Sequence, residues 1–484
     1  MHIGPVLRVI SVILLAVCAF MIFPIAYAIR FRETDVILSF VVPMVVSIIF
    51  AALVFALTSR KANTLNAKDG FLLVSGSWFL AALLGSLPFL LSGAIPTVAD
   101  AYFESMSGFT TTGASILTDI ESTPKSLLFW RSMTHWLGGM GIVVLASAIL
   151  PILGIGAYKL MKAEAPGPTM DKLAPRVAET AKILWTIYLL FTVLETALLM
   201  AGGMSLYDAL THTFGTLATG GFSPRNGSVG SYQSAYIDVV ITIFMVMAGI
   251  NFVLYFRFIT GNLRSVLGNP ELKAYVAIFV GSSLAIAIVL RQQGVFPNFG
   301  NSLRYASFQA ASILTTTGFA TADYAAWPEA VKIVLFALMF IGGCSGSTGG
   351  SIKVIRIITL AKLAIHEMKY LAHPNKVFRI KIGGETIKKN IVYTIASFFF
   401  LYVAILIMVA IVAASSGTDL VTSFSSALVT LGNIGPGFGI VGPAGNYAFY
   451  PDYVKWVLSF AMMAGRLEIY TVLILFTPYF WRRG

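Results

Sequence analysis

The chain has 484 residues, of which 57% are hydrophobic and only 11% charged, against roughly 25% charged residues in an average soluble domain. That composition excludes an ordinary water-soluble globular protein. The net charge of +12 suits a nucleic-acid binder only if the basic residues form a patch, and here they are distributed along the chain in a pattern that follows membrane topology instead.

In chain order, the first charge-free apolar runs are residues 9–29 and 36–59. Each is long enough to cross a hydrocarbon core, which takes about 20 helical residues. The first exceeds the ~7–15 residues of a secretory h-region and is followed at once by a second span, which argues against a cleaved leader. Four similar units then follow, each a span, a shorter apolar helix, a tight Gly-containing stretch and a second span. In the first unit these are 70–91, 99–109, Thr110-Thr111-Thr112-Gly113 and 127–150. The second has 183–203, 206–217, Ala218-Thr219-Gly220-Gly221 and 237–260. The third has 274–290, 302–314, Thr315-Thr316-Thr317-Gly318 and 331–358, and the fourth 391–414, 420–431, Gly432-Asn433-Ile434-Gly435 and 454–480. The middle helices are too short to span, so they read as re-entrant half-membrane helices. The expectation is an all-α polytopic membrane protein with ten crossings, two extra N-terminal helices and a pseudo-fourfold set of repeats. The expected division is 1–69, 70–158, 159–260, 261–362 and 363–484.

Two N-terminal spans and two crossings per unit put both termini on one side, and with the N-terminus cytoplasmic that is the inner side. That side then receives Arg8, Arg60, Lys61, Lys68, the basic run from Lys159 to Lys182, Arg257, Arg264, Lys273, the segment from Lys353 to Lys389, and Arg482 and Arg483. Most lysines and arginines therefore lie inside, as the positive-inside rule requires. Cys18 and Cys344 sit in apolar segments, so no disulfide or metal role follows. The glycine-rich run from Gly343 to Lys353 is not a phosphate loop, because Lys353 does not directly follow a glycine.

The chemistry lies in the Thr-Gly stretches. A dehydrated cation needs oxygen ligands that replace its water shell, and rings of backbone carbonyls supply them. Glycine reaches left-handed dihedrals without a Cβ clash, and threonine adds a hydroxyl. A lone Thr-Thr-Gly is usually a turn, but the same tetrapeptide recurs at 110–113 and 315–318, each directly after a short helix, and Phe222 and Phe319 both follow the glycine. The candidate ion ligands are Thr111, Thr112, Gly113, Thr219, Gly220, Gly221, Thr316, Thr317, Gly318, Asn433, Ile434 and Gly435. Unlike sides, such as Gly220 and Asn433-Ile434, predict real but weaker discrimination against sodium than a strict fourfold filter gives.

Over its whole length the chain resembles the Trk/Ktr/HKT superfamily of potassium transporters. The resemblance rests on residues 110–114, 220–223, 315–319 and 433–437, on 136–141 and 342–350, and on Arg466 with Glu468. It implies K+ as the transported ion, no organic cofactor, a bacterial cytoplasmic membrane, a homodimer with one pore per subunit, and a cytosolic nucleotide-binding ring of the TrkA type. Nucleic acid is not an expected partner; membrane lipid is.

Gly342, Gly343, Gly346, Gly349 and Gly350 crowd one span, and glycine costs about 0.5–1 kcal/mol relative to alanine in a helix interior, so unwinding there is expected. Arg466, placed in the last span, needs acceptors, and the carbonyls of the unwound loop are the expected ones. Together they form the candidate gate. Glu195 is the candidate coupling group of a rival reading, a proton- or sodium-coupled carrier, with a hydrogen bond to Thr192 or Thr196 as its structural alternative. Asn251 is read as interhelical glue, and His135 with Trp136 as part of a close-packed Gly-rich helix. Asp100, Glu104, Asp119 and Glu121 form an outer acidic cluster that either concentrates cations or is simply solvated. The five histidines show no metal-ligand spacing, which argues against a membrane enzyme.

Overall fold

The computed structural model describes residues 2–58, 66–141, 177–374 and 380–482. Apolar patterning makes the architecture helical. Ile3–Phe20 and Ile22–Phe31 form one span, and Thr34–Leu57 returns antiparallel to it. Both pack against Ala67–Leu91 of the first unit. Leu38, Ile48, Ile49 and Leu53 on the second span are exposed, an apolar surface that water would not tolerate and lipid does.

The four units have the expected parts. Their short helices are Val98–Phe109, Leu206–Leu217, Phe299–Leu314 and Leu420–Leu431. Each leans on the long helix before it, respectively Ala67–Leu91, Val177–Ala201, Pro270–Gln292 and Lys389–Ala414. Six helices of the described residues, counting Ile3–Phe31 as one, are long and apolar enough to span, and two bent pairs raise the number to eight. The expected ten crossings also include the second spans of units one and three. The first of these is Lys125–Gly139, and the remainder of the expected span, 142–150, lies outside the described residues, as does most of the basic run from Lys159 to Lys182.

Three second spans depart from a continuous helix. In unit two, Ala235–Ala248 and Phe252–Ile259 meet at 95°. Asn251 is therefore not interhelical glue: its Oδ1 caps the second piece, accepting from Val253 N at 2.9 Å. The freed carbonyls of Ala248 and Gly249 accept from Thr348 Oγ1 at 3.2 Å and Cys344 N at 2.8 Å. In unit four, Asp452–Arg466 and the helical turn Tyr470–Phe476 meet at 114°, because Glu468 and Ile469 take left-handed φ of 57° and 60°. In unit three, Glu329–Met339 stops and Val354–Ala372 starts, leaving a non-helical loop between them. The polar segment beyond holds the one strand pair among the described residues, a hairpin of Lys381–Ile382 with Glu385–Thr386 that turns through Gly383 and Gly384.

Candidate functional site

Each short helix starts with a side-chain cap and ends in the same turn. Thr97, Ser205, Asn298 and Asp419 accept from the backbone N–H three residues on, a periodic signal that the sequence carries and that the Thr-Gly reading overlooks. At the other end, Thr112 N donates to Ser107 O at 2.9 Å and Thr111 N to Gly108 O at 3.0 Å. The same pair of bonds closes the other helices: Gly220 N to Gly215 O and Thr317 N to Ser312 O, both 2.8 Å, and Ile434 N to Val429 O, also 2.8 Å. This is a Schellman end, and it requires a left-handed residue just past the helix.

That residue is Thr111, Thr219, Thr316 or Asn433, at φ of 55°, 54°, 61° and 55°. Three β-branched threonines in this region carry strain of roughly 1–3 kcal/mol each, sustained only where the surroundings over-determine the backbone. Asn433 adopts it more readily. The first three amides of each stretch are thus spent on its own helix, which leaves carbonyls of the stretch to face elsewhere. The helix C-termini that lead into the stretches add partial negative charge, which favours a cation.

The four glycines close a ring. Their φ values are 81° at Gly113, 80° at Gly221, 84° at Gly318 and 92° at Gly435. A Cβ built onto Gly113 would lie 2.1 Å from Gly220 O, and one on Gly221 2.1 Å from Thr317 O. One on Gly318 would lie 2.2 Å from Ile434 O, and one on Gly435 2.5 Å from Thr112 O. Each unit therefore abuts the next and the fourth abuts the first. Residues more than three hundred positions apart thus bring equivalent carbonyls beside the ring glycines, and backbone carbonyls are groups that can replace a cation's water shell.

The threonine hydroxyls serve the wall. Thr110 and Thr112 share a hydrogen bond of 2.7 Å, as do Thr315 and Thr317. Asn433 Nδ2 donates to Thr112 Oγ1 at 3.0 Å and to Met462 O at 2.9 Å. Two members of the expected outer acidic cluster are committed elsewhere. Asp100 pairs with Lys455, and buried Glu104 accepts from Arg131 Nε at 2.5 Å. Glu104 also accepts from Ile116 N at 2.9 Å, fixing the chain as it leaves the first stretch. Asp119 accepts from Asn226 at 3.1 Å, and that bond above all holds its carboxyl below the usual range. Glu195 is buried, and Thr192 and Thr196 hydrogen-bond instead to Tyr188 O and Thr213. Thr216 faces it, but its hydroxyl donates to His212 O at 2.8 Å.

The loop between Met339 and Val354 runs directly against the ring's supports. Gly350 N donates to Thr316 Oγ1 at 2.7 Å and Ser351 N to Gly432 O at 2.9 Å. A Cβ on Gly350 would lie 2.4 Å from Gly432 O, and one on Gly342 2.0 Å from Gly350 O. Gly343 packs on Gly249, Gly346 on Asn251, and Gly349 on Thr315. Glu271 anchors both flanks, accepting from Ser345 N at 2.8 Å and Ile355 N at 3.1 Å. Arg466 Nη1 donates to Thr348 O at 2.6 Å. Its Nη2 donates to Gly138 O at 2.8 Å and Gly139 O at 3.0 Å, so it ties the loop to the first unit rather than resting on loop carbonyls alone. Glu468 pairs with Arg356.

A family model described as TrkH, cation transport protein, matches residues 36–482. The Trk system potassium uptake protein TrkH of Salmonella typhimurium is 39% identical over 485 residues, with 100% of both chains covered. TrkG of Escherichia coli K12, also named a Trk system potassium uptake protein, is 34% identical over 462 residues, covering 95% of this chain and 94% of its own. The crystal structure of the potassium transporter TrkH from Vibrio parahaemolyticus superposes with a TM-score of 0.89 at 37% identity, over 100% of each chain.

Proposed function

This chain belongs to the TrkH family of cation transport proteins, and on that premise we propose that it carries potassium into a bacterial cell through the four-unit ring. The observation that supports this most directly is the closed circle in which each glycine is pressed by the preceding carbonyl of the next unit. No catalytic cycle is required. A negative interior drives the ion at about 2.3 kcal/mol per charge per 100 mV. Thr111, Thr112, Thr219, Gly220, Thr316, Thr317, Asn433 and Ile434 with the four glycines form the filter. Its unlike sides make the preference for potassium over sodium real but weaker than strict fourfold symmetry gives.

The gate in this reading is the loop through Gly342, Gly343, Gly346, Gly349 and Gly350, clamped by Arg466. A plug under the filter carrying a fixed positive charge opposes cation passage. The helix Val354–Ala372 continues from the loop into the basic segment, where a cytosolic nucleotide-binding ring of the TrkA type pulls it open. The protein works as a homodimer in the cytoplasmic membrane, with both termini inside. Purified protein in liposomes tests this directly, with potassium, rubidium and sodium fluxes compared with and without the partner ring. Potassium and rubidium uptake exceeding sodium uptake is expected; folded protein that moves neither under any condition refutes it. A carrier coupled through Glu195 is the rival, and loss of all uptake in Glu195→Gln with the filter glycines intact favours it.

A further inference from the structure

The residue before each ring glycine is Thr112, Gly220, Thr317 or Ile434, so one side of the circle lacks a side chain. In the other three units that side chain packs behind the filter. Thr112 and Thr317 bond back to Thr110 and Thr315 at 2.7 Å, and the Ile434 Cδ1 lies 3.2 Å from where a Cβ on Gly432 would sit. Gly220 has nothing to place there, yet the space is full. A Cβ on Gly220 would lie 2.4 Å from His135 Cγ and 2.6 Å from both Cδ2 and Nδ1, closer than side chains pack.

The imidazole comes from the first unit, on the helix Lys125–Gly139, and it is wholly buried. Its Nδ1 lies 2.7 Å from Gly108 O; since a carbonyl only accepts, Nδ1 carries the proton. The ring stacks on Phe222 with centroids 4.0 Å apart. One helical turn earlier, the Arg131 guanidinium lies 3.4 Å from the same phenyl centroid and donates to Ser223 O at 3.1 Å. The second stretch is therefore held from Gly220 to Ser223 by its neighbour's helix. In the fourth unit Gly465 takes the place of Gly138: Cβ atoms there would lie 1.9 Å from Leu431 O and 1.8 Å from Phe109 O. In that register the residue matching His135 is Met462, flexible and without a ring donor.

We propose that His135 is a specificity-determining residue of the filter, standing in from the first unit for the side chain that Gly220 lacks and holding the Gly220 carbonyl at its place in the ring. This rests on the filter reading above. Cations of different size are then discriminated on this side of the pore by a wall whose rigidity is aromatic and borrowed, and Gly220 is required because its neighbour fills its volume.

The test is a swap in liposomes, reading the potassium-to-sodium flux ratio and, as a measure of folding, the yield of monodisperse protein. His135→Ala opens a void and Gly220→Thr a clash, so each single variant lowers the ratio. Gly220→Thr with His135→Ala places a threonine in the vacated space, as in units one and three, and restores the ratio. The two sites must couple by more than about twofold, the lower bound for residues in contact. If Gly220→Thr does not fold alone, the ratio is read in His135→Ala and in the double variant, where a lowered ratio in the first and a restored ratio in the second are expected. A role in stability only lowers yield or all fluxes together and leaves the ratio unmoved, which overturns the proposal, as does a double variant no better than the worse single. Gly318→Ser, which does not touch His135, separates the two readings. If it changes the ratio while His135→Ala does not, only this inference fails; if it and the other three ring-glycine variants all leave the ratio unchanged, the filter reading fails.

Discussion

Substituting the ring glycines by serine probes the carbonyl circle one side at a time. A Cβ at Gly113, Gly221 or Gly318 would lie 2.1–2.2 Å from the neighbouring carbonyl oxygen, and at Gly435 2.5 Å. Because carbon and oxygen repel steeply inside about 3.0 Å, that carbonyl must retreat by roughly 0.8–0.9 Å at the first three positions and roughly 0.5 Å at the fourth. Each serine also inherits a φ between 80° and 92°, at a cost of about 1–2 kcal/mol for a residue with a side chain. The cheapest relief is to move the ring itself, since the amides behind it are tied to the short helices. In the filter proposed above, strain of that size is worth roughly 5–30-fold in the potassium-to-sodium preference. Gly435→Ser, with the smallest overlap, is expected to lose least. The assay is cation flux into liposomes carrying each purified variant, with and without the proposed partner ring, normalised to folded protein. If all four variants keep their potassium-to-sodium ratio within about twofold while remaining folded, these carbonyls do not form the filter, whatever else they do.

Removing Arg466 frees the loop from the first unit. Arg466→Ala, or deletion of part of 342–350, is expected to raise potassium flux in the absence of the partner ring, measured in the same liposomes; unaltered or lower flux in both variants, with the fold intact, removes the gate from this place. The buried Glu104–Arg131 pair, both side chains at most 3% exposed, predicts a different kind of loss. Arg131→Met leaves a buried carboxylate without its partner, at a cost of roughly 3–5 kcal/mol, whereas the double variant Glu104→Gln, Arg131→Met recovers much of it. Thermal unfolding in detergent reads this, and equal midpoints for single and double variants would show that the pair is not coupled.

The number and order of the units, the short helices and the four Thr-Gly stretches are legible in the chain alone. Lipid imposes long apolar runs, half-length runs stand out against them, and glycine marks where the backbone must leave ordinary dihedrals. The unwinding around Gly342 to Gly350 is legible for the same reason, since five glycines and the break they permit are local properties. What sequence leaves open is everything that depends on which unit lies beside which. Asn251 reads as a polar residue inside a span, and only the fold shows a cap at a bend whose freed carbonyls are taken up by the third unit's loop. Asp100 and Glu104 read as an outer acidic cluster because Lys455 and Arg131, their partners, are far along the chain or on another helix. Gly220 reads only as an unlike side of the ring until the imidazole of His135 is found where its side chain would be. Helical spans and turns arise from neighbours in the chain, which any sequence displays. The ring is made of close approaches between backbones that only a closed circle of four units brings together, and no local pattern encodes which side chain fills a space left by a distant glycine.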